Sequence, residues 1–300
     1  AYTKPSKTGD NMRDIEELVN RSIYILREAA AQFENPCVLW STGKDSTATL
    51  SLCREAFFGE VPFPVLHIDT GWKFPEIYEF RDRLADKWKL DLRIVKHPQA
   101  GKLHPSQVGH LKCCHALKTT ALRNYLEKEG FDAVIVSIRR DEHYMRMVER
   151  VFSPRDREFK WKHFRPRKEG EPGDSPFVYE QDVELWDIYR GDFGEEVSHV
   201  RIHPLLHWNE VEVWLYTKAR KLPFNPLYSA SYVEKTYGWK GKRFRSLGCK
   251  PCTKPINSTA STIDEIIQEL TQTREPERKG RTQDKEAEQV MRQLRALGYM

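Results

Sequence analysis

An α/β fold built on a doubly wound, mostly parallel sheet is predicted by three observations. Short apolar runs recur along the chain, at Val38–Trp40, Val65–Asp69, Leu92–Val95, Ala133–Val136 and Val200–His203. Segments with helical periodicity alternate with them, which is the pattern of strand, crossover helix and parallel strand. The first run also breaks directly into a small polar turn, Ser41-Thr42-Gly43-Lys44-Asp45-Ser46, before a helical pattern at Thr47, Leu50, Leu52, Ala56 and Phe57.

Length and composition limit what the fold can serve. The 300 residues, 39% of them hydrophobic, suffice for one large domain and an appendage. The expected division is a loose N-terminus at 1–12, a main domain at 13–207 interrupted by an insertion at 139–198, and a C-terminal region at 208–300 carrying a Cys-x-x-Cys and a helical tail. No apolar run approaches the roughly 18 residues that cross a bilayer, and no signal peptide opens the chain. A soluble cytoplasmic protein without a membrane partner is therefore expected, and a homo-oligomer is compatible with it. The net charge of +5 is mildly basic and permits polyanionic partners. Six cysteines are few for a secreted scaffold of this length. Cys37 and Cys53 fall within apolar patterns and read as core.

In chain order, Ile15, Leu18, Val19, Ile23, Leu26, Ala30 and Phe33 mark an amphipathic helix that Asn35-Pro36 ends. After the polar turn and its helix, the Val65–Asp69 strand leads through Thr70-Gly71-Trp72-Lys73 into a helix from about Pro75 to Trp88. The third strand and a helix around Leu117 to Lys128 precede the fourth strand. The fifth strand leads through Pro204-Leu205 to a helix containing Val211, Val213, Trp214 and Tyr216, and a last amphipathic helix begins at Thr262. The first half of the insertion is dense in cations, from Arg139 and Arg140 through Arg155, Arg157, Lys160 and Lys162 to Lys168, with Tyr144, Phe152, Phe159, Trp161 and Phe164 among them. Basic residues interleaved with stacking rings suit a nucleic-acid strand. A solvated loop anchored by its aromatics has the same composition. Arg274, Arg278, Lys279 and Arg281 offer a second candidate phosphate contact.

The polar turn is where chemistry is expected. Unpaired backbone N–H groups at a helix start favour an anion, Gly43 permits close approach, Lys44 adds a charge, and Ser41 and Ser46 add hydroxyl donors. An ordinary strand-to-helix turn capped by Asp45 or Ser46 remains the alternative. The spacing is not that of the Walker loop. Ser-x-Gly-Lys-Asp-Ser instead resembles the PP-loop of the ATP pyrophosphatases, which implies an adenine nucleotide α-hydrolase-like domain that cleaves ATP between its α and β phosphates. An acidic residue such as Asp69, at a strand's carboxyl end beside such a loop, lies where open α/β sheets place ligand contacts; a plain turn residue is the other reading.

The chain as a whole resembles the small, ATP-cleaving subunit of bacterial sulfate adenylyltransferase. The resemblance rests on the PP-loop, Phe63-Pro64-Val65-Leu66-His67-Ile68-Asp69-Thr70-Gly71-Trp72-Lys73-Phe74, Arg139-Arg140-Asp141-Glu142, Phe152-Ser153-Pro154-Arg155-Asp156, Arg245-Ser246-Leu247-Gly248-Cys249 and Glu277-Arg278-Lys279-Gly280-Arg281. It implies a GTPase partner subunit. The cysteines depart from it: Cys113-Cys114 with Cys249-x-x-Cys252 looks like the [4Fe-4S] set of adenylylsulfate reductases, and four thiolates also suit Zn²⁺. Such reductases carry a nucleophilic cysteine near the C-terminus, whereas no cysteine follows Cys252.

A PP-loop with four cysteines and no reductase nucleophile is similar to the ATP pyrophosphatases of bacterial DNA phosphorothioation. That resemblance implies adenylation of a DNA phosphate, sulfur from a cysteine desulfurase, and other DNA-modification proteins as partners. Ser41, Thr42, Gly43, Lys44, Asp45 and Ser46 are then expected to hold pyrophosphate. Asp69, Thr70, Trp72 and Lys73 would position ATP, Mg²⁺ would bridge its phosphates, and Lys44, Asp45, Arg139 and Arg140 would carry catalysis. Cys113, Cys114, Cys249 and Cys252 would bind the metal. Sulfate activation, an adenylylsulfate reductase-like reaction and RNA thiolation are the other expected outcomes, and a nucleotide sensor without turnover is the reading outside catalysis.

Overall fold

The computed structural model describes residues 7–142, 146, 149–159, 164–166, 177–179, 197–273 and 277. Its centre is a six-stranded sheet in the order β3-β2-β1-β4-β8-β5. The strands are β1 (Pro36–Leu39), β2 (Val65–Asp69), β3 (Leu92–Lys96), β4 (Ala133–Ile135), β5 (Phe152–Asp156) and β8 (Val197–Ile202). All pair in parallel except β5, which runs antiparallel to β8. The predicted parallel sheet is therefore present, with one strand added at its edge. β5 lies in the segment expected to be insertion, because Pro154 and three polar neighbours hide its strand character. An edge strand tolerates the missing N–H of a proline. Two further ribbons, β6 (Phe164–Pro166) with β7 (Phe177–Tyr179) and β9 (Lys242–Arg243) with β10 (Ile256–Asn257), are antiparallel.

β1 lies between β2 and β4, so the chain leaves it in one direction through β2 and β3 and returns on its other side through β4 and β8. Right-handed crossovers then cover opposite faces, and a crevice opens at the carboxyl ends of β1 and β4. The strands are buried on both faces: Cys37, Val38, Val65, Leu66, Val134 and Ile135 are fully enclosed. Cys37 and Cys53 are core residues, as expected, and burial pushes both thiols up.

Helix α1 (Lys7–Gln32) packs on α2 (Lys44–Ala56). It starts well before Ile15, so residues 7–12 are helical where a loose terminus was expected. Those positions carry no apolar period, and extending an existing helix by two turns requires no burial. Helix α3 (Pro75–Trp88) takes Pro75 in its first turn and ends on Lys89 in the left-handed region. Two short segments, α4 (Pro105–Val108) and α5 (His110–Cys114), and a π-helical stretch, His115–Thr120, lead into α6 (Ala121–Glu129). Beyond β8, α7 (Glu210–Ala219) and α9 (Ile263–Gln272) each open on a capping box, Asn209 with Glu212 and Thr262 with Glu265. With α8 (Ala230–Tyr237) they build a second core of Trp214, Leu227, Tyr228, Val233, Phe244 and Ile266 against Phe74 and Ile77 of the α3 entry. The helix α7 serves both cores: Trp214 belongs to the second, while Val213 and Tyr216 face the main one. Among the described residues no helix is long and apolar enough to cross a membrane.

Two histidines in this core set a pH limit. His67 donates from Nδ1 to the Trp40 carbonyl at 2.9 Å, and His203 donates to the Arg150 carbonyl at 2.7 Å. Burial holds them neutral, at about 3 and about 4, against an ordinary value of 6.5. Because these folded values are depressed, the unfolded chain takes up protons first. Stability is full above pH 6.5 and falls as pH drops through 6 toward 4. Urea midpoints measured over this range are expected to decline, and His67→Gln is expected to flatten the decline.

Candidate active site

The PP-loop closes where β1 ends. Thr42 turns the chain in the left-handed region, with φ of 65°. Ser46 Oγ accepts the Ser41 N–H at 3.2 Å and lies 3.1 Å from Ser41 Oγ, drawing the loop into a tight ring. Helix α2 begins at Lys44, three residues before the periodicity suggests, with Gly43 at its N-cap and no side-chain cap. The bland reading of Asp45 or Ser46 as cap therefore fails. The Lys44 N–H is instead satisfied by the Tyr228 hydroxyl at 3.0 Å, from the second core. A Cβ on Gly43 would stand 3.3 Å from Ser41 Oγ and 3.5 Å from Tyr228 Oη, so glycine keeps this junction close.

The facing wall comes from the end of β4. Val136, Ser137 and Ile138 line the same pocket as Ser41, Gly43, Lys44, Asp45 and Ser46, and Arg139 follows, completely buried. Arg139 pairs with Asp45, with Asp141 at 2.9 Å and with Glu277 at 2.5 Å. Lys44 Nζ pairs with Asp45 at 3.1 Å, with Glu210 at 3.8 Å and with Glu277. Burial works to raise the Glu277 carboxyl, but Lys44 and Arg139 outweigh it and hold the group well below the usual carboxylate range. Glu210 goes the other way: burial and the nearby Glu277 charge raise it despite Lys44 and Arg245. Two strand ends at the switch point thus deliver a lysine and an arginine to one buried spot, suited to neutralise an anion's charge.

The expected nucleotide residues divide. Ser41, Gly43, Lys44, Asp45, Ser46 and Lys73 line the pocket, and Thr42 shapes the loop beneath it. Asp69 does not line it: the carboxylate accepts from the Gly71 N–H and the Tyr78 hydroxyl, both at 2.8 Å. Burial tends to raise it, but these donors and Lys96 bring it down. In this structure its hydrogen-bond contacts are with its own turn and with α3. Thr70 and Trp72 face the cysteines instead, with Trp72 Nε1 donating to the Leu103 carbonyl. Arg140 opens a 3₁₀ turn, Arg140–Glu142, and donates to the Glu149 carbonyl beside His207. Tyr228, Lys118, Glu142, Arg146, Gly248 and Glu277 line the pocket without having been singled out as ligands. The quoted motifs around Arg139, Arg245 and Glu277 held the available signal.

Cys113, Cys114, Cys249 and Cys252 are all buried and line one small cavity with Thr70, Trp72 and Lys118. The two halves of the cysteine set thus converge from positions over a hundred residues apart. Cys113 and Cys114 lie on α5 rather than at a turn, so helix geometry splays adjacent side chains by about 100°. Burial and the neighbouring sulfurs push Cys113 up to about 11 and Cys252 up to about 12. Thr70 Oγ1 lies 3.2 Å from Cys249 Sγ. In type and number the donors suit zinc or an iron–sulfur cluster. Among the described residues, however, no three such side chains are arranged to hold an ion.

Where it is described, the basic stretch is largely tied into the fold, although Arg157 is exposed. Arg155 is buried and pairs with Glu149, Arg146 pairs with Glu142, and Phe152 and Phe159 are core. Lys160, Trp161, Lys162, Arg167 and Lys168, like Arg274, Arg278, Lys279 and Arg281, lie outside the described residues.

Residues 35–255 match the model of the phosphoadenosine phosphosulfate reductase domain. The chain is 38% identical to sulfate adenylyltransferase subunit 2 of Stutzerimonas stutzeri, the match taking in 97% of this chain and 99% of that one. Identity to the same-named protein of Azotobacter vinelandii is 37% over the same shares. Among solved structures, Candida glabrata FMN adenylyltransferase with FMN and AMPCPP superposes with a TM-score of 0.52 at 16% identity, covering 97% of this chain and 86% of that one. That similarity concerns the fold.

The turn that carries Lys73 depends on Gly71, whose φ is 74° and whose Cβ would lie 2.4 Å from the Gly101 nitrogen. Gly71→Ala is expected to cost about 2 kcal/mol or more, read as a lower denaturation midpoint. An unchanged midpoint would contradict the tight packing of these two backbones.

Proposed function

Because the chain belongs to the phosphoadenosine phosphosulfate reductase domain family, and is matched nearly end to end by sulfate adenylyltransferase subunit 2, we propose that it transfers the adenylyl group of ATP to sulfate. A sulfate oxygen attacks the α-phosphorus, the bond from that phosphorus to the β-phosphate bridging oxygen breaks, and pyrophosphate departs with the electron pair. The observation that carries this reading is the meeting of Lys44 and Arg139 over the PP-loop at the sheet's switch point.

The serine hydroxyls and the N-terminus of α2 bind the departing phosphates. Lys44 and Arg139 neutralise the charge that grows on them, and Lys73 contacts the remainder of the nucleotide. Mg²⁺ would add charge neutralisation on the polyphosphate, with Asp45 the residue that would hold it. A second subunit of GTPase type is the partner this reading requires.

Sulfate takes precedence here over the DNA phosphate expected from the cysteine pattern, because the relatives carry sulfate activation in their name. The buried Arg139 and Arg155 also remove two cations from any DNA-binding face. The convergent thiols keep sulfur insertion as the second reading, with a cysteine desulfurase as donor. In either case Cys113, Cys114, Cys249 and Cys252 are proposed to bind Zn²⁺ or a [4Fe-4S] cluster. Its position is suited to fix the 246–252 segment, whose Ser246, Leu247 and Gly248 line the ATP pocket.

The test is ATP–pyrophosphate exchange with the candidate partner subunit and GTP present. Exchange is expected to require sulfate and to fall roughly 10²–10³-fold in Lys44→Ala and in Arg139→Ala. Exchange that ignores sulfate but responds to DNA would replace this reading with the second. Elemental analysis of anaerobically purified protein is expected to find about one zinc or about four iron per chain, lost in Cys249→Ser; metal-free wild-type protein would exclude the thiol site.

A further inference from the structure

Glu277 lies far in sequence from both of its partners, 233 residues from Lys44 and 138 from Arg139. Its two oxygens divide between them, Oε1 to Lys44 Nζ and Oε2 to Arg139 Nη2. The side chain is 5% exposed and lines the pocket that the PP-loop forms. A carboxylate bridging these cations has the chemistry of one phosphate group: two oxygens, a negative charge and two charge-assisted hydrogen bonds.

We propose that Glu277 is an internal stand-in for a nucleotide phosphate, which occupies the anion position between Lys44 and Arg139 and is displaced when polyphosphate binds. The inference rests on the reading of this pocket as the ATP site. Within the ion-paired cluster, Lys44, Arg139 and Arg245 face Asp45, Asp141, Glu210 and Glu277. Lys73 and Lys118 also line the pocket. With Glu277 in place the cluster carries no surplus of positive charge to offer a polyanion. With Glu277 withdrawn, Lys44 keeps Asp45 and Glu210 and Arg139 keeps Asp45 and Asp141, but the bridging anion position between the two cations is open to a phosphate oxygen.

Glu277 is the member whose position suits exchange. Asp45 belongs to the first turn of α2 and Glu210 to that of α7, where Arg245 also grips it at 2.7 Å. Glu277 follows the end of α9 at Gln272, and among the described residues the contacts that hold its carboxylate are the two cations themselves. The site therefore exists in two forms, one filled by the chain and one by the ligand. Apparent affinity is reduced by the fraction of molecules in the filled form.

The experiment is calorimetric titration with inorganic pyrophosphate at fixed ionic strength, on wild type, Glu277→Gln and Glu277→Ala in the full chain. Both variants are expected to bind about ten-fold more tightly or better, as removal of an internal competitor requires. Their melting temperatures are expected to rise more on adding pyrophosphate than that of wild type. Equal or weaker binding in both variants would overturn the proposal and make Glu277 a support for Lys44 and Arg139. That outcome leaves the ATP-site reading standing, whereas no binding of pyrophosphate or ATP by any of the three proteins removes both. The alanine variant keeps the test decisive if the glutamine variant does not fold.

Discussion

Two positive charges, supplied from neighbouring strand ends and held out of water, are the constraint around which this molecule is arranged. Lys44 starts the helix after β1, and Arg139 follows β4. Because those strands are adjacent only where the sheet reverses its order, no other part of the topology would bring them together. Burying a lysine and an arginine is unfavourable unless each is paired. The carboxylates of Asp45, Asp141, Glu210 and Glu277 meet that requirement. They also fix the side chains in one geometry before any ligand arrives.

The second core follows from the same constraint. Tyr228 reaches from it to the first N–H of α2, Glu210 opens α7, and Arg245 binds Glu210. The region after residue 207 is therefore the far wall of the pocket rather than an appendage. The thiol cavity belongs to that wall as well. Lys250 donates its N–H to the Trp72 carbonyl at 2.7 Å, which joins the Cys-x-x-Cys segment to the turn carrying Lys73. A metal at the four sulfurs would stiffen a support that the fold has already assembled.

Much of this was legible in the sequence, for identifiable reasons. The strands β1 to β4 and the α3 boundaries are written in apolar runs, a proline at a helix start and a glycine turn, all local signals. The PP-loop has a short motif with its own chemistry. What escaped was non-local. β5 reads as a charged loop because Arg155 is compensated by Glu149 six residues away, a pairing visible only once folded. Asp69 and Arg140 have the right residue types beside the right motifs. Their roles depend on which way a side chain leaves the backbone, and that places Asp69 on Gly71 and Tyr78 and sends Arg140 toward His207. Glu277 was legible as a member of the quoted Glu277–Arg281 motif, but its partners, more than a hundred residues distant, become visible only in the fold.

The most direct test of the account is a crystal structure of the protein with a non-hydrolysable ATP analogue. The account predicts its terminal phosphates against Ser41, Gly43 and Ser46, with Lys44 and Arg139 on the phosphate oxygens and the Glu277 carboxylate no longer between them. A nucleotide bound away from the carboxyl ends of β1 and β4, with Lys44 and Arg139 still paired only to protein carboxylates, would contradict it.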